Sequence, residues 1–345
     1  MMKTGFSYYF GTDPIKSREV FEKATEAGME YVFTSLHIPE EQMSDYKPRI
    51  LEFITACKKT DMKFMVDISP YTLKKLDCVK YEDLKALGID YVRPDFGFTN
   101  DEIVSLSKTF FIAFNASTIT KADYENWAQQ GADFSRFFAS HNFYPKPLTG
   151  LPLERVREIN TYLKPQGYTT MAFVAGDKEY RTPIFEGLPT VEAHRNANVF
   201  FNMLELHHET DSDVVMFGDI DVTDRVWRQV KEYNQGYISL RIDIDPAYAD
   251  FKDILHHDRA DSSGHVIRSV ESRLTKRRVA PGEVKPRNTG DIFISNESFL
   301  RYEGELEIAR QPLEADHRVN VIGRVHDDDV QYLKYIKDGF GFKLI

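Results

Sequence analysis

Lys63–Tyr71 reads KFMVDISPY. Phe64, Met65, Val66 and Ile68 form a short apolar run, Asp67 sits near its end, and Ser69-Pro70 turns the chain. An apolar run that stops at an acid and a turn predicts a buried strand whose C-terminal end faces a site. The pattern recurs at Tyr91–Asp95 (YVRPD), Phe110–Asn115 (FFIAFN), Phe137–Asn142 (FFASHN) and Val214–Asp219 (VVMFGD), each followed by a helical pattern.

Outward from that stretch, Gly5–Phe10, Tyr31–Leu36 and Thr169–Val174, with the Phe137 run extended to a strand over Phe134–His141, complete a set of eight predicted strands. Apolar spacing predicts helices between them, among them Ser17–Ala27, Pro48–Thr60, Tyr81–Leu87, Asp101–Ser107 capped by Asn100, and Val191 to Leu206. Eight strand-then-helix units over about 230 residues predict a closed (β/α)₈ barrel. An open doubly wound sheet usually carries a Gly-rich first turn, and the first turn here is FGTDP. After Gly236 the runs turn strand-like: Tyr237–Ile242, Val266–Ser269, Asp291–Ser295, Leu306–Ala309 and Asn320–Val325, punctuated by Pro and Gly. Residues 1–235 are therefore expected to form the barrel, and residues 236–345 a small β-rich domain, a compact barrel.

Composition excludes several roles. With 44 basic and 54 acidic side chains the net charge is −10, which argues against a nucleic-acid-binding surface. Cys57 and Cys78 have no metal-ligand spacing and read as reduced thiols of a cytoplasmic protein. The opening MMKTGFSYYFGTD lacks the apolar region of a signal peptide, and no run approaches a membrane span.

In barrels of this type the active site lies at the C-terminal ends of the strands. That rule selects His37, Glu40, Asp67, Asp95, Asn115, His141, Asn142, Asp177, Glu192 and Asp219, with Arg93 two residues before Asp95 and on its side of the strand. Several acids around one cleft suit general acid–base work or glycoside hydrolysis. Each has a plainer reading. An Asp at a strand end often caps the next helix, and Glu192 at a predicted helix start interacts favourably with its dipole. His37 and His141 could equally bind backbone. No predicted strand end carries the lysine of a Schiff-base aldolase, and no His/Cys/acid cluster has tight spacing, so neither metal nor cofactor is expected.

The motifs GFSYYFG, FTSLHIPE, DISP, RPDFGF, HNFYPKPLTGL, GLPTVEAHR and NVIGRV, in that order, resemble a family long labelled "outer surface protein". Its characterised members are 6-phospho-N-acetylmuramidases (the MupG family). The resemblance spans essentially the whole chain. It implies a TIM barrel followed by a cyclophilin-like β domain. It also implies hydrolysis of the β-1,4 bond in N-acetylmuramic acid 6-phosphate–N-acetylglucosamine, a small phosphorylated disaccharide formed in the cytoplasm during cell-wall recycling. No catalytic pair is carried over from it.

The barrel argument then assigns Asp67 and Asp95, on neighbouring strands, as the catalytic carboxyls, with Glu192 in reserve. Adjacent strands lie about 4.8 Å apart, so the two carboxyls can approach within the distance of a retaining pair and, repelling each other, share one proton. Pairing of Glu192 with Asp95 would widen the gap and allow inversion, and the substrate's own 2-acetamido group could replace a protein nucleophile. His37, Arg93, Asn115, His141 and Asn142 are expected to contact the sugar, and Lys178, Arg181, Arg195 and Arg324 its anions. Arg324 would matter if the small domain covers the barrel mouth. Alternatives are another phospho-sugar hydrolase or isomerase on the same barrel, or a non-catalytic carbohydrate-binding or surface protein. The acids at the strand ends disfavour pure binding.

Overall fold

Eight parallel strands close on themselves in the order of the chain: β1 (Lys3–Ser7), β2 (Tyr31–Ser35), β3 (Lys63–Ile68), β4 (Tyr91–Pro94), β5 (Phe111–Asn115), β6 (Phe137–Ser140), β7 (Thr169–Val174) and β8 (Val214–Phe217). The computed structural model describes residues 2–36, 46–69, 71–95 and 97–345. Contacts divide the chain into two units, Met1–Val230 and Lys231–Ile345.

Side chains alternate along a strand, so every second residue faces the barrel interior. Tyr31 and Phe33, Met65, Tyr91, Ala113, Phe138, Met171 and Phe173, and Val214 and Met216 meet there in one buried cluster. Gly5 makes room for it on β1, because a Cβ at that position would lie 2.6 Å from the Tyr31 carbonyl oxygen and 3.0 Å from Met216 Cε. Continuing the same alternation upward replaces the apolar layers by a polar one. Ser35 follows Phe33, Asp67 follows Met65, and Arg93 follows Tyr91. The register pairs Ser35 with Asp67 and Asp67 with Arg93.

Local chemistry corrects three expectations. The first turn of helix Asn100–Ser107 is capped by Thr99, not Asn100, in a reciprocal box with Glu102. Asn100 instead donates to Asp123 and accepts from the Trp127 indole. The strand predicted from Phe134 begins at Phe137, because Phe134–Arg136 is a 3₁₀ turn led by Asp133. The helix predicted from Val191 is a 3₁₀ turn at Glu192–His194, and the true helix, Val199–Thr210, starts after Asn198, whose side chain accepts from the Phe201 amide.

The second unit is β-rich. An antiparallel sheet holds β10 (Ile242–Ile244), β15 (Val319–Val325), β13 (Asp291–Ser295), β14 (Leu306–Ala309) and β12 (Val266–Arg268) in that order. A three-stranded sheet holds β11 (Leu255–His257), β16 (Gly341–Leu344) and β9 (Tyr237–Leu240). The predicted strand Tyr237–Ile242 breaks at Arg241, whose amide and guanidinium both bind Asp329.

Candidate active site

A cavity of about 280 Å³ lies at the C-terminal ends of the barrel strands, lined by Phe33, Ser35, Asp67, Arg93, Asp95, His141, Asn142, Phe143, Phe173 and Arg181. Three rings form its apolar part: Phe33, Phe143 and Phe173 pack edge to face, with centroids 5.3–6.4 Å apart.

One wall is an ionic network. Arg93 Nη1 donates to Asp67 Oδ1 at 2.6 Å and lies 3.5 Å from Asp95 Oδ1. Arg93 Nη2 donates to the Asn142 side-chain oxygen. Burial opposes the charge on this guanidinium, but Asp67 and then Asp95 outweigh it and the Arg93 pKa is raised. The expectation of two mutually repelling carboxyls facing each other across a gap is thereby corrected. A cation bridges them, and the two contacts cap the separation of those oxygens at about 6 Å. They also differ in access: the Asp67 side chain is 9% exposed and that of Asp95 36%.

His141 lines the cavity but is fully buried. Asn160 Nδ2 donates to the Thr210 carbonyl at 2.8 Å and to Ser212 Oγ at 3.2 Å, which turns Asn160 Oδ1 toward His141 Nε2, 2.8 Å away. That oxygen only accepts, so the network assigns the proton to Nε2 and leaves Nδ1, 3.4 Å from Ser117 Oγ, as an acceptor. Burial pushes the imidazole down to about 4, against the pull of the Asn160 hydrogen bond.

Arg181 comes from the loop after β7, across the barrel from β3 and β4 in strand order. Its guanidinium lies 4.7 Å from the centroid of the Tyr9 ring and among the described residues meets no hydrogen-bond acceptor. The other expected anion-binding groups are already engaged. Lys178 Nζ lies 2.6 Å from Asp221. Arg195, 6% exposed, donates to both Glu192 oxygens and to the carbonyls of Glu186, Gly187, Tyr144 and Lys146. Arg324 belongs to the second unit and pairs with Asp291 and Asp327.

Glu192 is placed differently from its expected reserve role. Its carboxylate accepts the amides of Leu148 and Gly150 and the Arg195 guanidinium, and it does not line the cavity. Arg195 first, then those two amides, hold it down to about 2 against a smaller effect of burial. Asn115 accepts from the Ser117 amide and caps a turn. His37 lies outside the described residues. Ser35, Phe33 and Phe173 were not expected in the cavity, although the alternation from Phe33 to Ser35 carries the signal. Among the described residues no three His, Cys, Asp or Glu side chains gather as a metal site, and no helix is long and apolar enough to cross a membrane.

Asp219 does not line the cavity but accepts the backbone amide of Arg181, which does. It is buried, and burial raises its pKa although it accepts the amides of Arg181, Gly176 and Leu188.

Comparison with known proteins agrees with this architecture. The solved structure of a conserved Enterococcus faecalis protein of unknown function is 33% identical, with a TM-score of 0.84 over 99% of this chain and 96% of that one. An uncharacterized B. cereus protein is 25% identical, with a TM-score of 0.75 over 100% of both chains. No curated protein matches the chain. Two family models do, described as the N-terminal part of 6-phospho-N-acetylmuramidase over residues 4–232 and its C-terminal part over residues 238–345. With both halves matched in order, the chain belongs to the 6-phospho-N-acetylmuramidase family.

Proposed function

We propose that the protein is a cytoplasmic glycoside hydrolase that cleaves N-acetylmuramic acid 6-phosphate–N-acetylglucosamine during the recycling of cell-wall fragments. The end-to-end family match carries this reading. The cavity supports it: acids line one wall, rings line another part, and Arg181 supplies a cation whose donors are open among the described residues.

Asp95 is the acid–base group, being the more exposed of the two bridged acids and part of the cavity lining. Protonated from solvent, it gives that proton to the leaving glycosidic oxygen as the bond to the anomeric carbon breaks. Water adds to that carbon and loses a proton to the resulting carboxylate. Asp67 acts through Arg93, which it holds against Asn142. Arg93 contacts both acids, which favours a nucleophile other than a protein carboxylate. The 2-acetamido oxygen of the substrate takes that part, attacking before water does.

The test is incubation with the phosphorylated disaccharide and its unphosphorylated counterpart, with chromatography of released N-acetylglucosamine. Release from the phosphorylated compound, with kcat/KM lower on the other by roughly 2–5 kcal/mol of lost charge pairing, is expected. No release from either would reject the proposal, and equal kcat/KM would reject phosphate recognition.

A further inference from the structure

Asp219 stands just past the end of β8 and is 1% exposed. Its Oδ2 accepts the amides of Gly176 at 2.8 Å and Leu188 at 2.9 Å, and its Oδ1 accepts the amide of Arg181 at 3.0 Å. All three amides belong to the long loop after β7. One buried carboxylate therefore fixes that loop at its start, its middle and its end. The approach is close: a Cβ on Gly218 would lie 2.3 Å from the Leu188 carbonyl oxygen.

The Arg181 side chain is held by a second device. The Tyr9 hydroxyl donates to the Gly218 carbonyl, which ties the ring to the strand end that carries Asp219. The ring face then supports the guanidinium at 4.7 Å. This leaves the in-plane donors of Arg181, a planar fork suited to carboxylate or phosphate, on a cavity wall without an acceptor among the described residues. Arg195 shows the contrast, since its donors are taken up by Glu192 and by loop carbonyls.

We infer that Asp219 is a positioning residue: it fixes the backbone of Arg181, with Tyr9 behind the guanidinium, so that Arg181 is ready to take an anionic group of the ligand. That group is a sugar phosphate or a carboxylate. The inference rests on the proposal that this cavity binds a phosphorylated amino sugar. A loop ordered in advance has less conformational freedom left to lose on binding, so the contact is stronger than one made by a mobile arginine.

Asp219→Asn probes this selectively. An amide has one acceptor oxygen. If that oxygen keeps Gly176 and Leu188, the NH₂ group confronts the Arg181 amide, donor against donor. Dissociation constants are measured by calorimetry for N-acetylmuramic acid 6-phosphate, N-acetylglucosamine 6-phosphate (phosphate only) and N-acetylmuramic acid (carboxylate only). Arg181→Ala and Asp219→Asn should each weaken the doubly anionic ligand by about tenfold to a hundredfold. They should weaken one of the singly anionic ligands similarly and spare the other, which identifies the anion read. The double variant should bind no worse than Arg181→Ala, because Asp219 acts through Arg181. Wild-type binding by Asp219→Asn, or additive losses in the double variant, would overturn the inference. If wild type binds none of the ligands, the substrate proposal fails separately. Amide hydrogen exchange then decides the positioning role, with faster exchange at Arg181 in Asp219→Asn supporting it and unchanged exchange refuting it. Should Asp219→Asn not fold, Tyr9→Leu replaces it, with the same selective and non-additive loss expected and full additivity as the refuting result.

Discussion

Replacing Glu192 with Gln separates a structural clamp from a chemical group. The carboxylate binds Arg195 and the amides of Leu148 and Gly150, and is held at about 2, against an ordinary value near 4.5. Each pH unit of such a shift corresponds to about 1.4 kcal/mol, so the full effect is about 3 kcal/mol. A quarter of the side chain is exposed, and solvent screening reduces this to about 2 kcal/mol. The folded-state value is depressed. The contribution is therefore complete above a pH of about 4.5 and is lost as the pH falls toward about 2. Urea unfolding of wild type and Glu192→Gln should differ by about 2 kcal/mol at neutral pH. The gap should close across that acid window, and kcat at neutral pH should stay within a few-fold of wild type. A hundredfold fall in kcat with an unchanged unfolding midpoint would refute the clamp and return Glu192 to the chemistry.

Asp95→Asn is expected to lower kcat at least about a hundredfold with the thermal unfolding curve unchanged; a folded variant with near-normal kcat removes Asp95 from the mechanism. Asp67→Asn leaves the buried Arg93 guanidinium poorly paired and should cost roughly 3–5 kcal/mol of stability, so an unaltered urea midpoint would contradict the ion pair. His141 is a base whose folded-state value, about 4, lies below its ordinary 6.5. Between those values the unfolded chain takes up the proton first, and wild type should lose about 3 kcal/mol more than His141→Gln as the pH falls through that window; parallel stability profiles would count against it. EDTA should leave the hydrolysis rate intact, and activity lost to the chelator and restored by one divalent ion would reveal a metal site.

The barrel was legible because its signal is local and repeated: an apolar run, a polar end, then a helix. Asp67, Arg93, Asp95, His141 and Asn142 could be listed from that signal alone, since a strand's direction decides which end carries the site. Their relationships could not. That Arg93 bridges Asp67 and Asp95 depends on the geometry of adjacent strands and not on spacing along the chain. Nor could Arg181 be told from Arg195. Both lie in one polar segment, and only the folded loop shows that Arg195 is saturated by Glu192 and four carbonyls whereas Arg181 rests on a ring 172 positions earlier in the chain. Thr99 differs again: its T-x-x-E spacing to Glu102 is visible in the sequence, but the adjacent Asn100 is an equally good cap type, and only the folded turn distinguishes them.

The alternation that stacks Asp67 above Met65 and Arg93 above Tyr91 also bears on how such a site can change over evolutionary time. Deleting or inserting one residue within β3 or β4 would rotate the strand by one position. The acid or the guanidinium would then point into the apolar shell between barrel and helices, and Val66 or Val92 would point into the cavity. Length changes in these strands are thus lethal to the site and the core together, so the polar layer is passed on as a block. Changes in chain length are instead expected in the connections above the strands, where the loop bearing Arg181 can lengthen, shorten or exchange its basic residue without shifting the frame of the strands beneath it.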